Sequence, residues 1–197
     1  MDASSRFTKA QAAPLTGVSV RAGEKARAPA FEFRKAGLLD LSFIYREIMD
    51  GCENGAYSDA FLSLRGSAHL FRMLLLNLLP VGKLFGQRKL YEFLILRRGR
   101  DAIGYAGIYT STQDVEPTGC VIIGFFGIAR EYRRKKYGTL MMRRLIDYLP
   151  ADVRIAAYTT RYADNMHRVL AKTGFRQAVG FAGCQQKVFL LDKRKAR

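Results

Sequence analysis

The sequence predicts an α/β fold with the element order βααβββαβαββ, and three observations carry that prediction. Stretches that alternate apolar and polar residues with period 2 are interspersed with stretches of helical period. The run Val121 to Pro150, VIIGFFGIAREYRRKKYGTLMMRRLIDYLP, reads as an apolar strand, a short basic turn with a glycine, and an amphipathic helix. The 197 residues are enough for one well-buried α/β domain and too few for two ordinary ones with linkers.

The elements follow in order. Residues 1–30 are small, polar and basic, which predicts a disordered tail ahead of a single domain at residues 31–192. Phe31 and Phe33 begin a first strand, and residues 38–50 set Leu38, Leu41, Ile44, Tyr45 and Ile48 on one helical face that ends near Gly51. A polar loop, Glu53 to Ser58, leads to a second helical region carrying Phe61, Leu64, Leu70, Phe71, Leu74 and Leu78, with a break expected at Gly66. Residues 89–97 and 102–111 are β-rich runs joined by a hairpin at Gly99-Arg100-Asp101. A strand at Cys120 to Ile128, a helix at 138–149, a strand at 153–159, a helix at 164–173 and strands near 175–181 and 185–191 complete the domain. Gly174 is placed to cap the last helix in the left-handed conformation, and residues 193–197 form a basic tail.

A net charge of +16 and a pI near 10.1 favour anionic partners: a phosphorylated small molecule, nucleic acid or an acidic membrane surface. Cys52, Cys120 and Cys184 are odd in number and widely spaced, which argues against a disulfide framework or a zinc site and fits a reducing, cytoplasmic setting. The most apolar run, Leu70 to Leu79, is interrupted by Arg72 and Asn77 and falls well short of the roughly 20 residues that span a bilayer, so it reads as a buried helix, with an amphipathic membrane-surface role as the alternative. No continuous apolar core of a secretory signal is present at the start of the sequence.

Chemistry enters at the basic turn. The first N–H groups of a helix have no intrahelical acceptor, and the helix dipole favours negative charge beside them. Arg133, Arg134, Lys135 and Lys136 add positive charge at that place, and Gly138 lets a ligand approach the backbone. Taken on the residues alone, the segment is either a pyrophosphate cradle or a solvated basic turn.

The run EYRRKKYGTLMMRRLI resembles the acyl-CoA-binding segment of the GNAT acetyltransferase superfamily: Arg or Gln, two residues, Gly, one residue, then Gly or Ala opening a helix. Arg133 and Gly138 match its ends, and Lys136 stands where the family has its first glycine. Lys172, Thr173, Gly174 and Phe175 resemble the Lys-x-Gly-Phe that commonly closes the family's later helix. The resemblance implies a GNAT-like twisted, mostly antiparallel sheet flanked by helices, its central strands splayed near the cofactor. It implies that main-chain groups of Phe126, Gly127 and Ile128 bond the pantetheine arm, their side chains remaining in the core. It also implies that amides of Arg134, Lys135, Lys136, Tyr137, Gly138 and Thr139, beside Arg133, hold pyrophosphate, and that Asn165 touches CoA, unless it is simply a helix N-cap.

The implied activity is transfer of an acetyl group from acetyl-CoA, without a metal, to a primary amine by direct attack: a small amine, a lysine side chain or a protein N-terminus. Many members carry a glutamate in the strand before the phosphate turn, but CVIIGFFGIA contains no acid, and the place of the family's tyrosine acid falls on Leu170. Glu116, Tyr158, His69 and His167 are replacement candidates, and no base is assigned. Two alternatives follow: a catalytically degenerate acyl-CoA-binding protein, and a nucleic-acid-associated acetyltransferase such as an aminoacyl-tRNA-acetylating toxin. The oligomeric state is left open, with a homodimer as one option.

Overall fold

The computed structural model describes residues 30–79, 91–110, 120–160, 163–178 and 186–193. Seven strands form one sheet: β1 Phe31–Lys35, β2 Glu92–Arg98, β3 Asp101–Thr110, β4 Cys120–Ile128, β5 Arg154–Thr160, β6 Arg176–Gln177 and β7 Gln186–Asp192. They lie in the order β1-β2-β3-β4-β5-β7-β6. Every pair is antiparallel except β4 with β5. Helices α1 Leu41–Glu53, α2 Leu64–Leu78, α3 Tyr137–Tyr148 and α4 Asp164–Lys172 complete the expected order βααβββαβαββ. The parallel pair needs a crossover connection, and α3 is that crossover.

Pleating explains why helices cover both faces. In β2, Leu94 and Leu96 join Met141, Met142 and Leu145 of α3 and Leu170 of α4 in one core cluster. Their neighbours Phe93 and Ile95 point the other way, into a second cluster with Phe43, Ile44 and Ile48 of α1 and Leu70, Leu74 and Leu78 of α2. A strand buried on both sides reads as a continuous apolar run, and FLIL is that run.

Several local expectations change. The first helix starts at Leu41; Leu38–Asp40 form a separate 3-10 turn, fixed by the Asp40 carboxylate, which accepts the Gly37 N–H at 3.0 Å and the Arg34 guanidinium at 2.9 Å. Leu38 is therefore exposed rather than on the buried face. Gly51 lies inside α1, which runs on to Glu53.

Gly66 does not break α2 but sits in its first turn, where a Cβ would lie 1.9 Å from the Ala60 carbonyl oxygen; close backbone approach, not helix termination, requires glycine there. Ser63 caps this helix, its Oγ accepting the Gly66 N–H at 3.0 Å. Leu64 and Phe71 of α2 are exposed. Of the closing strand expected near 175–181, Arg176–Gln177 form β6, and residues 179–181 lie outside the described residues. Gly174 takes φ 91° just past α4, as the capping argument requires. Among the described residues no helix is long and apolar enough to cross a membrane.

Candidate functional site

The parallel pair does not run the length of its strands. β4 meets β5 only from Cys120 opposite Arg154 to Ile123 opposite Ala157. Immediately afterwards the register of β4 against β3 slips, with Gly107 opposite Phe125 and Ile108 opposite Ile123, so Gly124 is an extra residue. A bulge bends the strand that carries it. Beyond the bulge Phe125 to Ile128 stay with β3 while Tyr158 to Thr160 stay with β7, and a wedge opens between β4 and β5.

The segment after α1 bridges that wedge. The Thr160 hydroxyl of β5 donates to the Gly55 carbonyl at 3.2 Å, and the Tyr57 hydroxyl reaches β4. Tyr57 donates to the Phe126 carbonyl at 2.8 Å and accepts the Phe126 N–H at 3.0 Å. The Tyr105 hydroxyl lies 3.0 Å away. Because a phenol has a single proton and Tyr57 gives its own to Phe126, Tyr105 is the donor in the tyrosine pair.

Gly51 makes room for this arrangement: a Cβ there would be 2.5 Å from the Tyr57 ring. Burial pushes the Tyr57 phenol up to about 12 and the Tyr105 phenol well above its ordinary value, so both keep their protons at neutral pH.

At the end of β4 the chain makes a 3-10 turn, Arg130–Tyr132, and Arg133 folds back. Its Nε donates to the Ile128 carbonyl at 2.9 Å and its Nη2 to Asp50 at 2.8 Å, with the Glu47 carboxylate 3.8 Å away. The Arg133 guanidinium is thus directed at α1 rather than along the turn. Glu47 is buried; desolvation raises its pKa, against the opposing pull of Arg133.

The other basic residues stay outside. Arg134, Lys135 and Lys136 are exposed, and Arg134 and Lys136 adopt left-handed φ of 62° and 65°. The Lys135 ammonium donates to the Glu131 carbonyl at 3.0 Å and lies over the Tyr132 ring. Lys136 is the N-cap of α3 without a side-chain capping bond, and the first bond of the helix runs from the Leu140 N–H to the Lys136 carbonyl at 3.1 Å. The amides of Tyr137, Gly138 and Thr139 therefore have no acceptor inside the helix.

Gly138 has a further reason to be glycine, since a Cβ there would meet Val169 of α4 at 3.3 Å. The Tyr137 hydroxyl accepts from Arg98 at 3.3 Å.

The remaining expected residues are dispersed. Asn165 is exposed in the first turn of α4, and the N-cap is Ala163, so Asn165 is not the capping residue. Tyr158 is half-buried at the first β5 position past the last β4 pair. Leu170 is fully buried. His167 lies with Nε2 2.9 Å from the Thr159 hydroxyl and its ring stacked on Phe189, and His69 is exposed on α2. Cys52 and Cys120 are buried. Glu116 and Cys184 lie outside the described residues. Among the described residues no group of three or more metal-ligating side chains comes together.

Tyr57, Tyr105, Asp50 and Glu47 were not singled out by sequence reasoning. Glu47 alone had a signal, an acid set between Ile44 and Ile48 on the apolar face of α1.

The sheet is thus mixed, and its one parallel pair parts beside the start of α3. The model of the acetyltransferase (GNAT) family matches residues 59–175, and the chain belongs to that family. No curated protein matches the sequence.

Solved structures share the fold at low identity. An acetyltransferase of the GNAT family from Streptococcus agalactiae is 13% identical with a TM-score of 0.63, covering 86% of this chain and 99% of its own. An aminoglycoside N(6')acetyltransferase from Legionella pneumophila is 15% identical with a TM-score of 0.62, covering 83% and 92%. The protein yncA from Salmonella typhimurium, solved with its cofactor acetyl-CoA, is 16% identical with a TM-score of 0.59, covering 83% and 94%.

Proposed function

We propose that this chain is an acyl-CoA-dependent N-acyltransferase that moves an acetyl group from acetyl-CoA to a primary amine by direct attack. The observation that carries the reading is the wedge between β4 and β5, opening beside the start of α3. A thioester nucleotide has a diphosphate at one end and an amide-rich arm at the other. The free amides of Tyr137, Gly138 and Thr139, with the exposed charges of Arg134, Lys135 and Lys136, suit the diphosphate. Main-chain groups of Phe126, Gly127 and Ile128 suit the arm, and the N–H and carbonyl of Phe126 both bond a side-chain hydroxyl, that of Tyr57, rather than β5. Asn165, exposed at the start of α4, is an additional contact. The Salmonella typhimurium relative with acetyl-CoA supports the choice of donor.

Within this reading the chain orients the donor through backbone groups, Arg133 braces the end of β4 against α1, and the two tyrosines hold protons at the mid-strand position. The buried thiols Cys52 and Cys120 fit a reducing, cytoplasmic setting. A second reading, acyl-CoA binding without turnover, is favoured by the buried Leu170 and the acid-free β4. Titration calorimetry with acetyl-CoA, followed by thiol release on adding amines, separates the two. Saturable binding with release supports the enzyme, binding without release across a broad amine panel supports the binding protein, and no binding at millimolar acetyl-CoA removes both.

A further inference from the structure

The hydroxyl oxygen of Tyr57 receives two converging donors, the Phe126 N–H at 3.0 Å and the Tyr105 O–H at 3.0 Å. We propose that the Tyr105 hydroxyl is a donor to the oxyanion of the transfer reaction, beside the Phe126 amide, and that the Tyr57 oxygen occupies this seat in the free protein. The inference rests on the acyl-CoA reading above.

Three features of the structure support it. Phe126 lies past the point where β5 leaves β4, and its N–H and carbonyl both take a partner from outside the parallel pair. Tyr57 supplies that partner, and the segment carrying it is tied to β5 through Gly55 and Thr160, so the occupant spans the space between the parted strands. The Tyr105 hydroxyl reaches the same point over Gly127, where a Cβ would be 2.5 Å from the Tyr105 ring and 2.8 Å from its oxygen. A carbonyl oxygen accepts hydrogen bonds from an N–H and an O–H just as the phenol oxygen does, so an acyl group can exchange places with Tyr57 at this point.

The chemistry then balances. As the amine nitrogen bonds to the carbonyl carbon, the C=O electron pair moves onto oxygen between Phe126 N–H and Tyr105 O–H. When the C=O re-forms, the C–S bond breaks, sulfur leaves with its electron pair, and the proton lost by nitrogen ends on the thiolate directly or through solvent. Amine and acyl-CoA become amide and free CoA. Both phenols keep their protons at neutral pH, so Tyr105 remains a donor to developing negative charge.

Free CoA has no carbonyl at its sulfur end and does not compete for the seat. Tyr57 therefore weakens acyl-CoA relative to free CoA, and its removal shifts that ranking.

The test uses the full chain and three variants: Tyr57→Phe, Gly51→Ala, which crowds the Tyr57 ring out, and Tyr105→Phe. In Tyr57→Phe the Phe126 amide loses protection from hydrogen exchange, acetyl-CoA restores it and free CoA does not. The affinity for acetyl-CoA over CoA rises about tenfold, the worth of one net hydrogen bond. Gly51→Ala moves both readouts in the same direction. In Tyr105→Phe the turnover rate falls about a hundredfold while acetyl-CoA affinity changes little.

Unchanged Phe126 protection in Tyr57→Phe, an unchanged affinity ratio, or full turnover in Tyr105→Phe overturns the assignment while leaving acyl-CoA binding intact. If no amine turns over, the exchange and affinity readouts still decide it. Failure of the unaltered chain to bind either nucleotide removes the acyl-CoA reading itself.

Discussion

Replacing Lys136 with glycine should stabilise the protein, because the backbone at this position is one that a side chain resists. Lys136 has φ 65° and ψ 5° at the N-cap of α3, in the left-handed region. For a residue with a Cβ that region costs about 1–2 kcal/mol, and glycine adopts it freely. Glycine gives back about 0.5–1 kcal/mol through the extra entropy it loses on folding. It is also a better N-cap than a residue whose side chain makes no capping bond, as is the case here.

The net expectation is a gain of about 1 kcal/mol, a rise of about 2–4 °C in Tm for a domain of this size. Thermal and urea unfolding followed by circular dichroism in the absence of nucleotide measure it. Lys136→Ala is the control: it deletes the same charge but keeps a Cβ, and should leave Tm nearly unchanged. Equal effects of the two substitutions, or a loss of stability in Lys136→Gly, would refute the argument from backbone conformation.

Three further outcomes follow from buried geometry and charge. Gly66→Ala should cost about 1–3 kcal/mol in urea unfolding, since the new Cβ would lie 1.9 Å from the Ala60 carbonyl oxygen and the backbone must shift. Tyr57, with its phenol raised from 10.0 to about 12 by burial, contributes stability that is fully present below pH 10 and is lost as pH rises toward 12. The unfolding free energy of the unaltered chain should therefore fall faster between pH 9 and pH 11 than that of Tyr57→Phe, and parallel curves would count against it. Glu47, with its pKa raised chiefly by desolvation, favours folding below about pH 4.5 and loses that advantage as pH rises through its folded-state value. Glu47→Gln should thus gain stability relative to the unaltered chain on going from pH 4 to pH 7, and a relative loss over that interval would contradict the burial argument.

Much of the fold was legible because its signals are local or periodic. FLIL in β2 announces a strand buried on both faces, and the positions of Ile44, Ile48, Leu70, Leu74 and Leu78 mark the inward faces of α1 and α2. Gly174 announced the end of α4. The misreadings arose where tertiary contact overrides propensity. Gly66 looked like a breaker because its partner, the Ala60 carbonyl, is set by how a 3-10 turn folds against α2. Leu38 looked like part of a helical face because the Asp40 carboxylate, by holding Gly37 and Arg34, delays the helix to Leu41.

The candidate site divides along the same line. The end proposed to face an anion is contiguous in sequence, running from Arg134 to Thr139, so composition and a glycine suffice to suggest it. Its mid-strand end is made by residues far apart in the chain: Tyr57 bonds Phe126 across 69 positions and Tyr105 across 48, and Arg133 bonds Asp50 across 83. No periodicity links such residues, and Tyr57 sits in a polar loop that carries no signal of its own. The absence of an acid in β4 and of a hydroxyl at Leu170 therefore speaks only to the positions a local pattern can address. In this chain the polar side chains that reach the wedge come instead from β3 and from the connection after α1, and a glycine at 51 or 127 is as necessary to them as the tyrosines themselves.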